Sequence, residues 1–451
     1  MDFFQLKFHE TTVKNEVFAG IAMFMAMSYV LVVNPILLSQ TGMPHTGAFV
    51  GTVLAAGITT IISAFYTKLP IALAPGIGLS SFFLLFGTGA DALDYKVLLL
   101  ATYASGMLIC IFVQSGFYDV VIDVMGMEFR RIVMCGIGLA LFFYGISTTG
   151  LIQKSGPTYT LGQVQLAPVL ITVLSLGTIV LLKKKNVKGH VFFGLLEAYL
   201  LGIGMDYYQQ GYEVGISFVD YVKSFICIPD DLDSIKQVMF AFPDMVGLFS
   251  DPEQIMNLMY IVFVFTMGHF FFAIGTSTSV FEEINLYIDH RIKDEGGLKK
   301  AITVDGIGSI ASGMVGTSMV TTMGESLVGV MSGGKTGVTA LTTGICFLLC
   351  VLSAPLFKSM ATFVAAPALI YVGVNLAIRY KWINKKSIVK SIFSVGTALY
   401  VGLTFNVGFA VLYGLPIFIL LEWILDKKKP AKYWWTTLLF VALQQILSIW
   451  A

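Results

Sequence analysis

The chain has 451 residues, of which 56% are hydrophobic and 12% charged, and its formal net charge is +1. Soluble globular domains carry about 25% charged residues, so a water-exposed fold is excluded, and the neutral balance leaves no basic surface for nucleic acid. The cysteines (Cys110, Cys135, Cys227, Cys346 and Cys350) form no Cys/His cluster, so no metal or other cofactor is expected, and no nucleophile–base pair or cofactor fingerprint points to an enzyme.

The opening MDFFQLKFHETTVKNE is amphipathic and has neither the apolar core nor the cleavage site of a signal peptide. Apolar stretches of about 20 residues, the length that crosses a hydrocarbon core of roughly 30 Å, then recur along the chain. The predicted spans are 17–38, 47–66, an extended 69–75 leading into a short helix at 79–87, then 97–113, 132–150, 168–182 and 190–204. After a polar, partly acidic stretch at 206–252 come 255–274, 301–315, an interrupted 316–334, 336–356, 362–378, 388–405 and 408–425. A last aromatic stretch, 433–450, either crosses the membrane or lies at its interface.

This reading gives an all-α polytopic membrane protein of fourteen transmembrane segments in two inverted repeats of seven, with short extended pieces in segments 3 and 10. The first repeat is 1–204, the extracytoplasmic connection 205–254, the second repeat 255–426, and 427–451 forms a basic loop and aromatic helix. Placed in the inner (cell) membrane with a cytoplasmic N-terminus, the chain puts the basic clusters at Lys68, Arg130, Arg131, 183–185, Lys299, Lys300, Lys335, Lys385, Lys386 and 427–429 on the cytoplasmic side, as the positive-inside rule requires.

The two interrupted segments, LPIALAPGIGLSSFF and GTSMVTTMGES, hold matching positions in the two halves. Transporters place such broken helices at the bilayer midplane around a polar solute, where free N–H groups and the positive end of the dipole gather. Ionisable residues inside a membrane mark a site by default. Glu325 opens the second short helix, where the dipole favours a carboxylate that accepts N–H bonds from a solute. The alternative is that it caps its own helix. His269, deep in the eighth span, is either a solute or proton site or a packed helix contact. Asp305 reads as structural, paired with backbone or Thr303. Asn34 and Pro35 shape a helix end, and Glu282 and Glu283 are interfacial charges.

ALAPGIGLSSFF, GTSMVTTMGESLVGVMSGGKTGVTA, APALIYVGVNL and TTVKNEVFAGIAMFMAMSYVLVVNPILLSQTGMP resemble the signature stretches of the xanthine/uracil permease superfamily, closest to its guanine/hypoxanthine (AzgA-like) branch. The resemblance runs from about Thr11 to Leu425. It implies a core domain moving against a gate domain, nucleobase uptake driven by protons, and a homodimer. It also implies that Glu325 binds the base. Two positions depart from the pattern: Phe272 stands where the eighth span carries an acid, and Ser80 where the third carries Asn.

The expected site therefore comprises Glu325, Gly324, Ser80, Gly78, Phe272, Thr276 and His269, with Gly78 and Gly324 admitting close backbone approach. Phe272 suits stacking on a flat ring. Glu325 and His269 are the candidates for proton coupling, since histidine ordinarily titrates closest to neutral pH. The expected solute is a purine-type nucleobase. An anion carrier on the same fold and a non-transporting sensor are the alternatives. Membrane-impermeant cysteine labelling applied outside the cell is expected to leave positions 183–188 unlabelled, and labelling there would reverse the orientation.

Overall fold

In this computed structural model the described residues are 3–88, 92–155, 158–162, 165–185, 187, 190–206, 231–244, 250, 252–287, 295–353, 362–379, 387–404, 407–427, 435, 438 and 442. Most of the connection at 205–254, the basic pairs at 385–386 and 428–429, and most of 433–450 lie outside them.

The first span is divided into α1 (Val13–Met27) and α2 (Val30–Ser39). The sequence suggests one continuous helix there, but Leu31 N–H bonds to Ser28 O at 3.1 Å, a tighter three-residue turn that marks the break. Next come α3 (His45–Thr67), β1 (Leu73–Pro75), α4 (Ile77–Gly87), α5 (Tyr95–Gln114) and α6 (Phe117–Thr148). The α3 helix ends at Lys68 in a left-handed conformation, which turns the chain into β1. A hairpin of β2 (Ile152–Ser155) and β3 (Thr158–Leu161), not foreseen from sequence, leads to α7 (Leu166–Lys184) and α8 (His190–Asp206). Leu170, Val173, Leu174 and Leu181 stay exposed on α7, a face suited to lipid and not to water.

Within the polar connection lies α9 (Leu232–Val238), whose Val238 is fully buried against Gly47 and Gly316. The second half contains α10 (Pro252–Tyr287), α11 (Glu295–Val315), β4 (Val320–Thr322), α12 (Ser326–Met331) and α13 (Gly337–Leu349). It continues with α14 (Ala366–Arg379), α15 (Ile388–Thr404) and α16 (Val407–Asp426). Six helical stretches among the described residues are long and apolar enough to cross a membrane, and shorter apolar helices accompany them. The chain is a multi-pass membrane protein.

Two groups of helices pack together. In one, α3 packs on α13 and α11, α5 on α11 and α10, and α1 on α13. In the other, α6 packs on α14, α15 and α16, and α7 on α8 and α14. The crossings depend on glycine in matching ways. A Cβ on Gly106 of α5 would come within 2.6 Å of Gly306 O, and one on Gly306 would lie 3.0 Å from Gly106 O. Gly57 of α3 and Gly344 of α13 repeat the arrangement at 3.1 and 2.9 Å. Backbones this close gain dispersion contacts that larger residues would forbid, which is how helices associate where lipid removes the hydrophobic drive.

Buried charges pin the ends of the groups. Glu16 of α1, fully buried, accepts from Lys335 N (3.0 Å), Thr336 N (3.1 Å), Thr336 Oγ1 (2.8 Å) and Thr339 Oγ1 (2.6 Å), and so caps α13 from a neighbouring helix. In the second group Lys390, 1% exposed, pairs with Asp426 and lies 3.8 Å from both Glu128 and Glu422. It joins α6, α15 and α16.

Gly106→Leu is expected to separate α5 from α11, because the clash is with backbone that cannot rotate away. A sharply reduced folded, monodisperse fraction in detergent gel filtration is the expected outcome, and wild-type behaviour would show that the crossing is not close.

Candidate functional site

The extended segments pair as an antiparallel ladder, with Leu73 opposite Thr322, Ala74 opposite Thr321 and Pro75 opposite Val320. Met323 N donates to Ala72 O (3.0 Å) and Gly76 N to Met319 O (3.3 Å) at the two ends. A two-stranded sheet leaves its outer edges unpaired, and at membrane depth water cannot satisfy them. Side chains of the packed helices do so here. The Thr60 hydroxyl on α3 donates to Leu73 O (2.8 Å) and accepts from Leu73 N (3.0 Å). The Ser309 hydroxyl on α11 treats Val320 in the same way, at 3.2 and 3.1 Å. Asp305, fully buried, accepts from Thr322 N (2.8 Å) and Thr322 Oγ1 (2.9 Å) on one oxygen and from Ser277 Oγ (3.2 Å) on the other. Its partners are therefore strand β4 and α10. Thr303, the side chain suggested by sequence, donates instead to Lys299 O (2.8 Å).

Beside the ladder, Asn34 joins four segments. Its Nδ2 donates to Thr52 Oγ1 (2.8 Å) and Thr317 Oγ1 (2.9 Å), and its Oδ1 accepts from Ser80 Oγ (2.6 Å) and Ser318 Oγ (3.0 Å). An amide offers two donors and two acceptor sites, so Asn34 is saturated. It lies inside α2 as a hub and not at a helix end, which corrects the expectation from sequence. Ser80, fully buried, belongs to this network and lies 2.8 Å from Ser318 Oγ and 3.0 Å from Gly76 O.

The other expected site residues fall around the ladder as follows. Phe272, 6% exposed, lies against Gly78, where a Cβ would be 3.0 Å from Phe272 Cε2. Gly78 is thus needed for the ring to reach the first turn of α4. Thr276 turns its hydroxyl onto its own helix, toward Phe272 O (3.0 Å) and Ala273 O (3.3 Å). His269 is fully buried, its Nδ1 3.4 Å from Ser309 Oγ, and its Nε2 has no hydrogen-bond partner among the described residues. The Thr321 hydroxyl is likewise buried, near the Asp305 carboxyl. Glu325 immediately precedes α12 but makes no side-chain capping bond to it. Its Oε1 accepts from the Tyr29 hydroxyl at 2.7 Å. A Cβ on the preceding Gly324 would meet nothing within 4 Å, and Glu325 itself is half-buried.

The structure therefore brings Phe272 to Gly78 and His269 to the helix that supports β4, and it absorbs Ser80 and Thr276 into internal hydrogen bonds. Sequence reasoning missed Tyr29. A tyrosine inside an apolar span does carry a signal, since its buried hydroxyl needs a partner, but the partner is 296 residues away.

The fold is that of a helical membrane protein with two short paired strands among its helices. The transmembrane domain of a cyanobacterium bicarbonate transporter, BicA, shares that fold, with a TM-score of 0.60 at 14% identity, covering 87% of this chain and 97% of that one. The chain belongs to the xanthine/uracil permease family, whose model, described as a permease family, matches residues 14–411. Among curated relatives, it is 30% identical over 412 residues to the adenine permease AdeP of Escherichia coli K12, covering 90% of this chain and 86% of that protein. It is 28% identical over 379 residues to the guanine/hypoxanthine permease PbuO of Bacillus subtilis, covering 82% of each.

Asp305→Leu strands a buried backbone N–H and two hydroxyls, each at a cost of about 1–3 kcal/mol. A lower unfolding temperature in detergent is expected, with Asp305→Asn recovering most of the loss because its amide oxygen still accepts from Thr322. Equal melting of Asp305→Leu and wild type would remove the aspartate from the architecture.

Proposed function

We propose that the chain is a secondary-active carrier of purine-type nucleobases in the cell membrane, with its N-terminus cytoplasmic, working by alternating access. The observation that carries the reading is the half-buried Glu325 carboxylate, tethered on one oxygen by Tyr29. An ionised carboxylate is purely an acceptor, so it suits the N–H edge of a neutral heterocycle and repels an anion. Membership of the permease family and the adenine and guanine/hypoxanthine permeases among its relatives point to the same solute class.

The matching glycine crossings and the matching use of Thr60 and Ser309 support two inverted repeats, 1–204 and 255–426. The group containing α3, α5, α11 and α13 holds the ladder and the solute, and the group containing α6, α14 and α15 moves against it. Phe272, fixed by Gly78, offers a ring face for stacking. For proton coupling the candidates are Glu325 and His269, the latter being the one fully buried histidine among the described residues. It touches the ladder through Ser309.

Uptake of radiolabelled purines by cells expressing the protein tests this. Glu325→Gln is expected to abolish uptake at every pH. His269→Ala is expected to flatten the pH dependence while exchange of bound and free base continues. A His269→Ala profile matching wild type would remove histidine from coupling, and wild-type cells that accumulate no purine would remove the nucleobase reading altogether.

A further inference from the structure

Tyr29 sits at the break between α1 and α2, 2% exposed, and its hydroxyl donates to Glu325 Oε1 at 2.7 Å. A phenol has one proton to give. With that proton committed to the carboxylate, the tyrosine oxygen can only accept, and its lone pairs lie beside a carboxylate that can also only accept. The Glu325 carboxylate, also held by its own backbone N–H, and Tyr29 Oη thus set two acceptors side by side along one edge. The backbone around it is fixed: Glu325 follows the ladder through Met323, whose N–H is bonded to Ala72 O at 3.0 Å, and α12 begins at the next residue. Glu325 is half-buried, which leaves the edge approachable.

We propose that Tyr29 is a second solute-binding residue, and that Tyr29 and Glu325 together read a base edge carrying two adjacent N–H donors. Guanine presents such an edge in its ring N1–H and 2-amino group. Hypoxanthine keeps the ring N–H and lacks the amino group. Adenine places a ring acceptor beside its amino donor and so sets a lone pair against the carboxylate. The inference rests on the nucleobase reading above and adds to it an order of preference, guanine over hypoxanthine over adenine.

Scintillation binding of tritiated guanine and hypoxanthine to the purified full chain tests the idea. A site built to pair with a polar group rejects an analogue lacking that group, so wild type is expected to bind guanine at least about tenfold tighter than hypoxanthine. Tyr29→Phe, with unchanged melting temperature, is expected to bring guanine down to within about threefold of hypoxanthine, because the missing acceptor served only the 2-amino group. If Tyr29→Phe weakens both bases equally, tyrosine merely orients Glu325 and the two-acceptor edge is overturned. Competition by 1-methylguanine on the wild-type protein needs no variant: methylation blocks the ring donor, and undiminished competition would also overturn the proposal, as would a preference for adenine. Wild type that binds no purine base overturns the nucleobase reading itself, an outcome distinct from purine binding without the guanine preference.

Discussion

Everything in this protein follows from having to place two extended strands where there is no water. A strand pair of three residues each satisfies only its inner edge, and every remaining N–H and C=O at that depth would cost several kcal/mol if left bare. The helices that flank the strands carry the remedy in their sequences. Thr60 and Ser309 each serve both polar groups of one strand residue with a single hydroxyl. Asp305 serves Thr322, Ser63 serves Ile71 O at 3.0 Å, and Ser326 serves Ala72 N at 3.0 Å.

That requirement also sets the packing. A hydroxyl reaches a neighbouring backbone only if its helix lies close, and α3 and α11 are drawn in at crossings where Gly57 and Gly306 face other glycines. Small residues and short polar side chains therefore act together here: glycine permits the approach and Ser, Thr or Asp uses it. Among the described residues, the other helix group holds no strand pair of this kind between its helices, only the hairpin of β2 and β3. It too has a close backbone approach, at Gly373 against Gly138 O (2.6 Å), but its buried polarity is concentrated in the ion cluster around Lys390, where one cation is shared by three carboxylates. A lysine so placed is tolerable only because it is paired.

Structural polar groups differ from available ones in how fully their partners lie inside the protein. Glu16, Asn34, Asp305 and Ser80 are all buried, and all are committed to partners inside the protein. Glu325 differs because it is half-buried and Tyr29 engages one of its oxygens. Among intramembrane carboxylates, availability distinguishes the candidate ligand.

The sequence by itself determined the membrane class, the approximate places of the helical spans and the two interrupted segments, and it marked Glu325 as a candidate, although α6 begins at Phe117 and α10 runs on to Tyr287, well beyond the spans read from sequence. These are local properties: apolar run length, glycine and proline at fixed places, and a charge where lipid tolerates none. A break at Ser28 and Tyr29 left no such mark, because no glycine or proline stands there and the turn is only slightly tighter than an α-helix. Neither could α9 be read inside a polar connection, since Val238 is buried against Gly47 and Gly316, both distant along the chain. Which polar side chains are spent and which remain free was decided by tertiary structure alone. Asn34 meets Thr317 across 283 positions, and Tyr29 meets Glu325 across 296. Hydrogen bonds at such separations carry no periodicity along the chain, and only the pairing of the two strands brings their partners together.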